Sequence, residues 1–229
     1  MAQHGKKYRQ AVQLIEEGRL YSLDEAVELL STTSTTKFDP TVEIHFNLEL
    51  DPKYADQMIR TTITLPNGSG RAASIGAFTD QGNEKELIAA GASVAGGDDL
   101  IEAVAAGKID FGVAIATPGM MKKMGKIAKV LGPKGLMPNP KTGTVGEDLL
   151  PIVAELRAGK FEFKNDKQGN VHSIVGKLSF GPEKLKKNIE YFIQTIKDVK
   201  PSGAKSGKYL NTIVLCTSMG PGIPLQIVV

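Results

Sequence analysis

The sequence predicts a mixed α/β protein in two parts: a discontinuous first domain made from residues 1–67 and 160–229, and an α/β domain, residues 68–159, inserted into it. Two patterns predict this. Near both chain ends, apolar and polar residues alternate with the period of a half-buried strand. Between them, short apolar runs alternate with helical stretches, the rhythm of a parallel sheet with crossover helices. Charge bears on partners and not on this division, with 7 Lys/Arg against 10 Asp/Glu in residues 1–67, 10 against 10 in 68–159, and 11 against 5 in 160–229. An insertion leaves only two backbone crossings between the parts, which implies a hinge near Pro66, Gly68, Gly70 and Gly159.

In chain order, residues 7–17 and 23–30 read as short amphipathic helices. Ser22 opens the second as its N-cap, with Glu25 three residues on to complete a capping box. Val42, Ile44, Phe46, Leu48 and Leu50 then alternate with Glu43, His45, Asn47 and Glu49, which marks a strand over 41–50. A second strand, 61–65, runs into the turn-forming Pro66-Asn67-Gly68. In the insert, strand-like runs at 72–78, 92–94 and 111–116 are separated by helices at 84–90, 100–106, 120–131 and 149–156. After Gly159, Phe161 and Phe163 mark one strand and 171–175 the next, the two joined as a hairpin by a polar turn. A long amphipathic helix over 182–199 and strands at 210–215 and 223–228 complete the chain.

Composition narrows the functional classes. With 229 residues, 41% hydrophobic and 23% charged, the chain can bury a sizeable core and lies outside the disordered class. No apolar run approaches the ~18 residues that a membrane span requires. The start is polar and basic, without the apolar core and cleavage site of a secretion signal, so a cytosolic protein is expected. Cys216 is the single cysteine. It excludes an intramolecular disulfide, points to a reducing compartment, and leaves no Cys/His cluster with metal-ligand spacing along the sequence. Neither a metal nor a cofactor is expected. The net charge of +3 says little about a polyanion partner, whereas the basic C-terminal third says more.

Two glycine-rich segments invite a nucleotide reading. Gly68-Ser69-Gly70-Arg71-Ala72-Ala73 matches G-x-G-x-x-G/A after a strand, and a nucleotide-dependent oxidoreductase or transferase built on the insert is the rival from another class. That motif needs a helix to follow it, and 72–78 reads as a strand. The loop 132–143 ends in Lys141-Thr142, but a phosphate loop needs Gly before that Lys, and this chain has Pro140, which offers no amide hydrogen. The loop reads equally well as a rigid solvated turn and as a basic phosphate contact through Lys134 and Lys141, beside Lys129. The histidines His4, His45 and His172 have no catalytic pattern; His4 is expected to be disordered and His45 to face solvent. Lys160, Lys164, Lys167 and Lys177 cluster around the 161–172 turn near Phe161 and Phe163, a composition suited to a phosphate backbone. A third reading, a general basic scaffold, predicts binding indifferent to RNA structure.

The run Leu131-Gly-Pro-Lys-Gly-Leu-Met-Pro-Asn-Pro-Lys-Thr-Gly-Thr-Val145 closely resembles the signature of the L-one ribosomal protein family. Supporting landmarks fall in family order: Lys37-Phe38-Asp39, Val42-Glu43, Lys164-Asn165-Asp166-Lys167, Gly176-Lys177 and Ser218-Met219-Gly220. The resemblance implies a split β-α-β sheet in the first domain and a Rossmann-like three-layer insert. It implies a non-enzymatic protein of the large ribosomal subunit, a free monomer with no membrane partner. Such a protein binds large-subunit ribosomal RNA to form a mobile stalk, acts as exit-site transfer RNA leaves, and can repress its own messenger RNA. Carried over position by position, the RNA-binding residues are Lys37, Phe38, Thr41, Glu43, Lys164, Asp166, Lys167, His172, Gly176, Thr217, Ser218, Met219 and Gly220. The chain departs from the family at 55–61, at Asn67 where His is usual, and at Ser218, which keeps the hydroxyl of the usual Thr.

Overall fold

The computed structural model describes residues 5–70, 73–201, 203–204 and 209–227. The chain divides into two compact units, Met1–Gly70 with Glu162–Val229, and Arg71–Phe161. It is a mixed α/β protein with several sheets.

In the first unit, the helix α1 (Lys6–Val12) stops well before residue 17. The amide of Glu16 donates to the Tyr21 hydroxyl at 2.8 Å and is not available to extend the helix. The next helix, α2 (Leu23–Thr33), opens on the capping box: the Ser22 hydroxyl accepts from the Glu25 amide, and the Glu25 carboxylate accepts from the Ser22 amide. The strand β1 (Thr41–Leu48) lies inside the main sheet, and β2 (Arg60–Thr64) outside it.

The second unit carries β3 (Ile75–Phe78), α3 (Glu84–Ala90), β4 (Val94–Gly96), α4 (Asp98–Ala105), β5 (Val113–Ala116), α5 (Pro118–Met124), α6 (Ala128–Leu131) and α7 (Leu150–Arg157). Its three strands are parallel, in the order β4-β3-β5. Successive side chains of a strand point to opposite faces. Phe78, Ala114 and Ala116 therefore pack with residues of α4, α5 and α6, while Ile75, Ala77 and Ile115 pack with Leu87 of α3 and with Val153 and Leu156 of α7. Helices thus cover both faces of this sheet. The single helix expected over 120–131 is broken by a 3-10 turn, Gly125–Ile127: Gly125 keeps right-handed helical angles, φ −51° and ψ −31°, and the departure comes at Ile127, φ −101° and ψ 1°. The strand expected at 92–94 starts later, since the Ala92 amide closes α3 by donating to the Leu87 carbonyl, with Gly91 left-handed at φ 113°.

Past β6 (Lys160–Lys164) the first unit resumes with β7 (Asn170–Lys177), α8 (Pro182–Asp198), β8 (Leu210–Thr217) and β9 (Ile223–Leu225). The sheet order is β7-β1-β8-β9, with β1 antiparallel to both its neighbours. The strands β7 and β8, joined by α8, therefore run parallel on either side of β1. Val42, Ile44, Phe46 and Leu48 point to the helix side and are at most 3% exposed. Burying such a side chain stabilises the fold by about 1.5–3 kcal/mol. Phe46 stacks on Phe192 of α8, with ring centroids 5.5 Å apart, and Phe163 packs on the same ring at 5.0 Å.

The expected hairpin over 161–172 is not formed. The strand β6 pairs with β2 in a separate two-stranded sheet, and the turn after it closes on β7 through an isolated bridge, Asn165 to Val171, and through the Asp166 amide, which donates to the Asn170 carbonyl at 2.7 Å. The buried Asn165 makes the junction, its side-chain oxygen accepting from the Ile59 amide at 3.0 Å and its own amide donating to the Ile59 carbonyl at 3.1 Å. Expectations placed on His4, Arg71, Ala72 and Val228 lie outside the described residues.

Candidate nucleic-acid interface

On the side of the β7-β1-β8 sheet opposite its buried aliphatic residues, Thr41, Glu43, His45 and Asn47 alternate along β1. Register sets Asn170, His172 and Ile174 of β7 beside them, and Thr212, Val214 and Cys216 of β8 on the other flank. This face is polar and part-exposed.

At one end the 217–220 turn is tied to β1. The Thr41 amide donates to the Ser218 hydroxyl at 3.2 Å, and the Ser218 amide donates to the Thr41 carbonyl at 2.9 Å. Lys177, opposite Thr41 in the register, donates its ammonium to the Thr41 hydroxyl at 2.9 Å. The Gly220 amide closes the turn onto the Thr217 carbonyl at 2.8 Å. A side chain at Gly220 would force Thr217 to shift, since its Cβ would stand against the Thr217 hydroxyl oxygen. Between them Met219 is held at φ 65°, a conformation costly for a side chain other than Gly, and it is 76% exposed. Phe38, three residues before β1, is 61% exposed, and Lys37 beside it is exposed too. Thr217 is itself buried, and its hydroxyl has no hydrogen-bond partner among the described residues. Gly176 is also buried: a Cβ there would lie 3.0 Å from Leu185 and 3.1 Å from Phe180, so it shapes the strand end from within.

The other end is organised by Asp166. Its Oδ1 accepts from the amides of Gln168 and Asn170, each at 2.8 Å, and its Oδ2 lies 3.4 Å from His172 Nε2. Burial works against ionisation here, but the amides of Asn170 and Gln168 outweigh it and hold the carboxyl below its ordinary pKa. Lys164 and Lys167 are exposed. Of the four lysines grouped by sequence, Lys164 and Lys167 therefore stay together at this end while the other two do not join them. Lys177 lies about 23 Å from residue 170 along β7, at about 3.3 Å per residue, and Lys160 is ion-paired with Glu155 at 2.6 Å. Phe163, only 3% exposed, belongs to the core and offers no stacking surface.

Midway along the face sits a cluster that sequence spacing gave no sign of. His45 lies on the open side of its strand, as expected, but is only partly exposed, its side chain 29% accessible. Its Nδ1 lies 2.8 Å from His172 Nδ1, and its Nε2 lies 3.2 Å from Cys216 Sγ. Burial, followed by the His172 charge, depresses the His45 pKa. Burial, helped by the Glu43 charge, pushes the Cys216 thiol up to about 11. The alternation Thr41, Glu43, His45 was the available signal that His45 shares this face; nothing local announces Cys216.

In the second unit the 132–143 loop is a tightly bonded turn around Asn139. The Asn139 side chain accepts from the Lys141 amide at 2.9 Å, the Asn139 amide donates to the Thr144 hydroxyl at 2.8 Å, and Gly143 is left-handed at φ 65°. The Lys141 amide is thus committed within the loop, while the Lys134 and Lys141 side chains are exposed. The Gly68–Ala73 motif leads into β3, so no helix N-terminus follows it. Gly68 and Gly70 have φ of 71° and 70°, and Gly159 has 98°. The turn after Pro66 is anchored in the first unit. The buried Asn188 accepts from the Asn67 amide at 3.1 Å and donates to the Gly68 carbonyl at 3.0 Å.

The sequence profile of the Ribosomal protein L1p/L10e family matches residues 29–221. The chain is similar to the large ribosomal subunit protein uL1 of Solidesulfovibrio magneticus, 51% identical over 226 residues covering 99% of this chain and 96% of that one. It is 48% identical to the uL1 of Saccharopolyspora erythraea, over 99% and 94% of the two chains. With the uL1 of Fervidobacterium nodosum it shares 47% identity over 99% and 97%. A match of this extent places the chain in the Ribosomal protein L1p/L10e family, whose members are structural ribosomal proteins and not enzymes.

Proposed function

We propose that the chain is a structural protein of the large ribosomal subunit, working in the cytoplasm, and that the open face of its β7-β1-β8 sheet grips a folded stretch of large-subunit ribosomal RNA to build the mobile stalk. The observation that carries this reading is the 217–220 turn. It is bonded rigidly to β1 through Ser218 and Thr41, and it presents an exposed Met219 at the same end of the sheet as Phe38 and Lys37. A rigid edge of hydroxyls, amides and close-approach backbone suits recognition of RNA shape, with lysines supplying contacts to phosphate. At the far end Lys164, Asp166, Lys167 and His172 extend the same contact.

The same face serves a segment of the protein's own messenger RNA when ribosomal RNA is not available, which makes the free protein a repressor. The two units act as separate domains, with Gly70 and Gly159 as the swivel and the Asn188-bound turn at Asn67 and Gly68 as its fixed anchor. Lys134 and Lys141, on their rigid loop, are the second domain's contact for exit-site transfer RNA, whose release accompanies stalk motion. The test is a gel shift with purified protein. It should retard a ribosomal stalk RNA fragment and leave a duplex of equal length free, and equal retardation of both would overturn the reading.

A further inference from the structure

Glu43 and His45 project from β1 on one face, and Cys216 stands directly across from Glu43 on β8. Their ligand atoms all lie within 4.8 Å of one another, and none of the three residues is fully buried. The His45 Nε2 is 3.2 Å from Cys216 Sγ and 3.8 Å from Glu43 Oε2. A tetrahedral zinc ion with ordinary bond lengths sets such N···S and N···O edges at about 3.4–3.6 Å. The two edges from the His45 Nε2 are therefore within about half an ångström of ligating geometry, and the Glu43 to Cys216 edge lies within 4.8 Å.

The far side of the imidazole is prepared in the same sense. The two facing nitrogens, His45 Nδ1 and His172 Nδ1, are 2.8 Å apart and can share only one proton between neutral rings. With Asp166 accepting from His172 Nε2–H, the His172 Nδ1 is bare and accepts from His45 Nδ1–H. That assignment, made from the hydrogen-bond network, leaves the His45 Nε2 lone pair aimed at Cys216 and Glu43. Metal-binding histidines usually donate their second N–H to a fixed acceptor; here that acceptor is the His172 ring, itself held by Asp166.

We propose that Glu43, His45 and Cys216 form a three-ligand site for a borderline-soft divalent transition metal of the zinc class, with its fourth position open. Thiolate and imidazole together select such an ion over magnesium or calcium. The metal displaces the thiol proton, so each ion bound releases one proton: M²⁺ plus Cys–SH gives M²⁺–S–Cys plus H⁺. The site then changes from a net charge of −1, carried by Glu43, to zero. The inference rests on these side chains alone and does not depend on the RNA reading of the face.

The full-length, metal-stripped protein should be titrated with Co²⁺ alone and then with Zn²⁺ in competition. The expected result is a thiolate-to-cobalt band in the near ultraviolet with visible bands of tetrahedral intensity, saturating at one ion per chain and erased by Zn²⁺. Cys216→Ser should abolish the thiolate band, and His45→Gln should weaken binding at least thirtyfold. Asp166→Asn, one residue further from the metal than a direct partner of His45, should weaken it by less than the about 10–100-fold usual for such a partner while keeping the band. Absence of a thiolate band in the wild-type protein at saturating cobalt would overturn the proposal, as would Zn²⁺ affinity unchanged in both Cys216→Ser and His45→Gln. The wild-type spectrum decides the matter even if a variant fails to fold.

Discussion

Ser218 and Thr41, 177 positions apart in the chain, exchange two hydrogen bonds, amide to hydroxyl at 3.2 Å and amide to carbonyl at 2.9 Å. This reciprocal pair fixes the 217–220 turn on the first strand of the sheet. Ser218→Ala removes the acceptor of the part-buried Thr41 amide and should cost about 1 kcal/mol of stability. It should also weaken binding of stalk RNA about tenfold, because the turn loses its register. Met219→Ala, at an exposed side chain, should leave the melting temperature unchanged and weaken RNA binding to a similar degree. Lys184→Ala, on the outer face of α8, should change binding less than twofold. Equal losses in all three variants, measured by filter binding at one salt concentration, would contradict the assigned face.

Thr217 holds a buried hydroxyl with no partner among the described residues, against which Gly220 is closely packed. An unsatisfied buried hydroxyl costs roughly 1–3 kcal/mol. Thr217→Val keeps the shape and removes that cost, so the variant should be as stable as the parent or more stable, by up to about 2 kcal/mol in urea unfolding. If the hydroxyl is kept for RNA, the same variant should bind the stalk fragment more weakly. A variant that loses stability would show that the hydroxyl is satisfied in solution.

Local patterns were legible and distant pairings were not. The Ser22/Glu25 capping box, the helix at 84–90 and the alternation along β1 are each encoded within a few residues, and each is found where its pattern lies. The hairpin expected over 161–172 failed because a strand's partner is set by long-range register: β6 was claimed by β2 through Asn165 and Ile59, 106 positions apart. The same limit hid the cluster of His45, His172 and Cys216, which exists only once three strands align. At the 217–220 turn the sequence supplied the residues, but the bond to Thr41 that makes them one rigid object is a property of the sheet.

The depressed pKa of His45 gives folding a pH dependence. Burial and the His172 charge oppose protonation in the folded state, Glu43 opposes them weakly, and the unfolded side chain titrates near 6.5. Above that pH the histidine is neutral in both states and no penalty exists. As pH falls through 6.5 towards the lower folded value, the unfolded chain takes up a proton that the folded chain resists, so stability is lost. One such group gives a slope of at most about 1.4 kcal/mol per pH unit. Asp166, also depressed, acts only near and below the ordinary carboxylate range and stays outside this window. Urea midpoints at pH 7.5 and 5.5 should fall further for the parent than for His45→Gln. Parallel falls would exclude His45 as the source.

Gly76 in β3 gives a control confined to the second unit. A Cβ there would stand 2.6 Å from ring atoms of Phe111, which is buried and packs edge-on against Phe78 at 5.8 Å. Overpacking of this kind costs about 1–3 kcal/mol. Gly76→Ala should therefore lower stability, while the folded fraction binds stalk RNA with parental affinity, because the proposed face lies wholly in the first unit. Loss of affinity per folded molecule would bring the second unit into the RNA contact.

The number of free cations on the face sets how strongly salt should weaken binding. Lys37, Lys164 and Lys167 are exposed and have no ion pair among the described residues, and Lys177 stands at the strand end with its ammonium on the Thr41 hydroxyl. Lys160 and Lys186 are already paired, with Glu155 and Asp24 at 2.6 Å each. About 3 to 6 phosphates can be neutralised by such a set, and each contributes about 0.7–0.9 to the slope of log K against log salt. The slope should therefore have a magnitude of roughly 2 to 5. Binding carried by bulk positive charge would give a much steeper line and would persist on unstructured RNA. A slope near zero would mean that the lysines do not touch phosphate at all, leaving the hydroxyl and amide edge to account for the whole affinity.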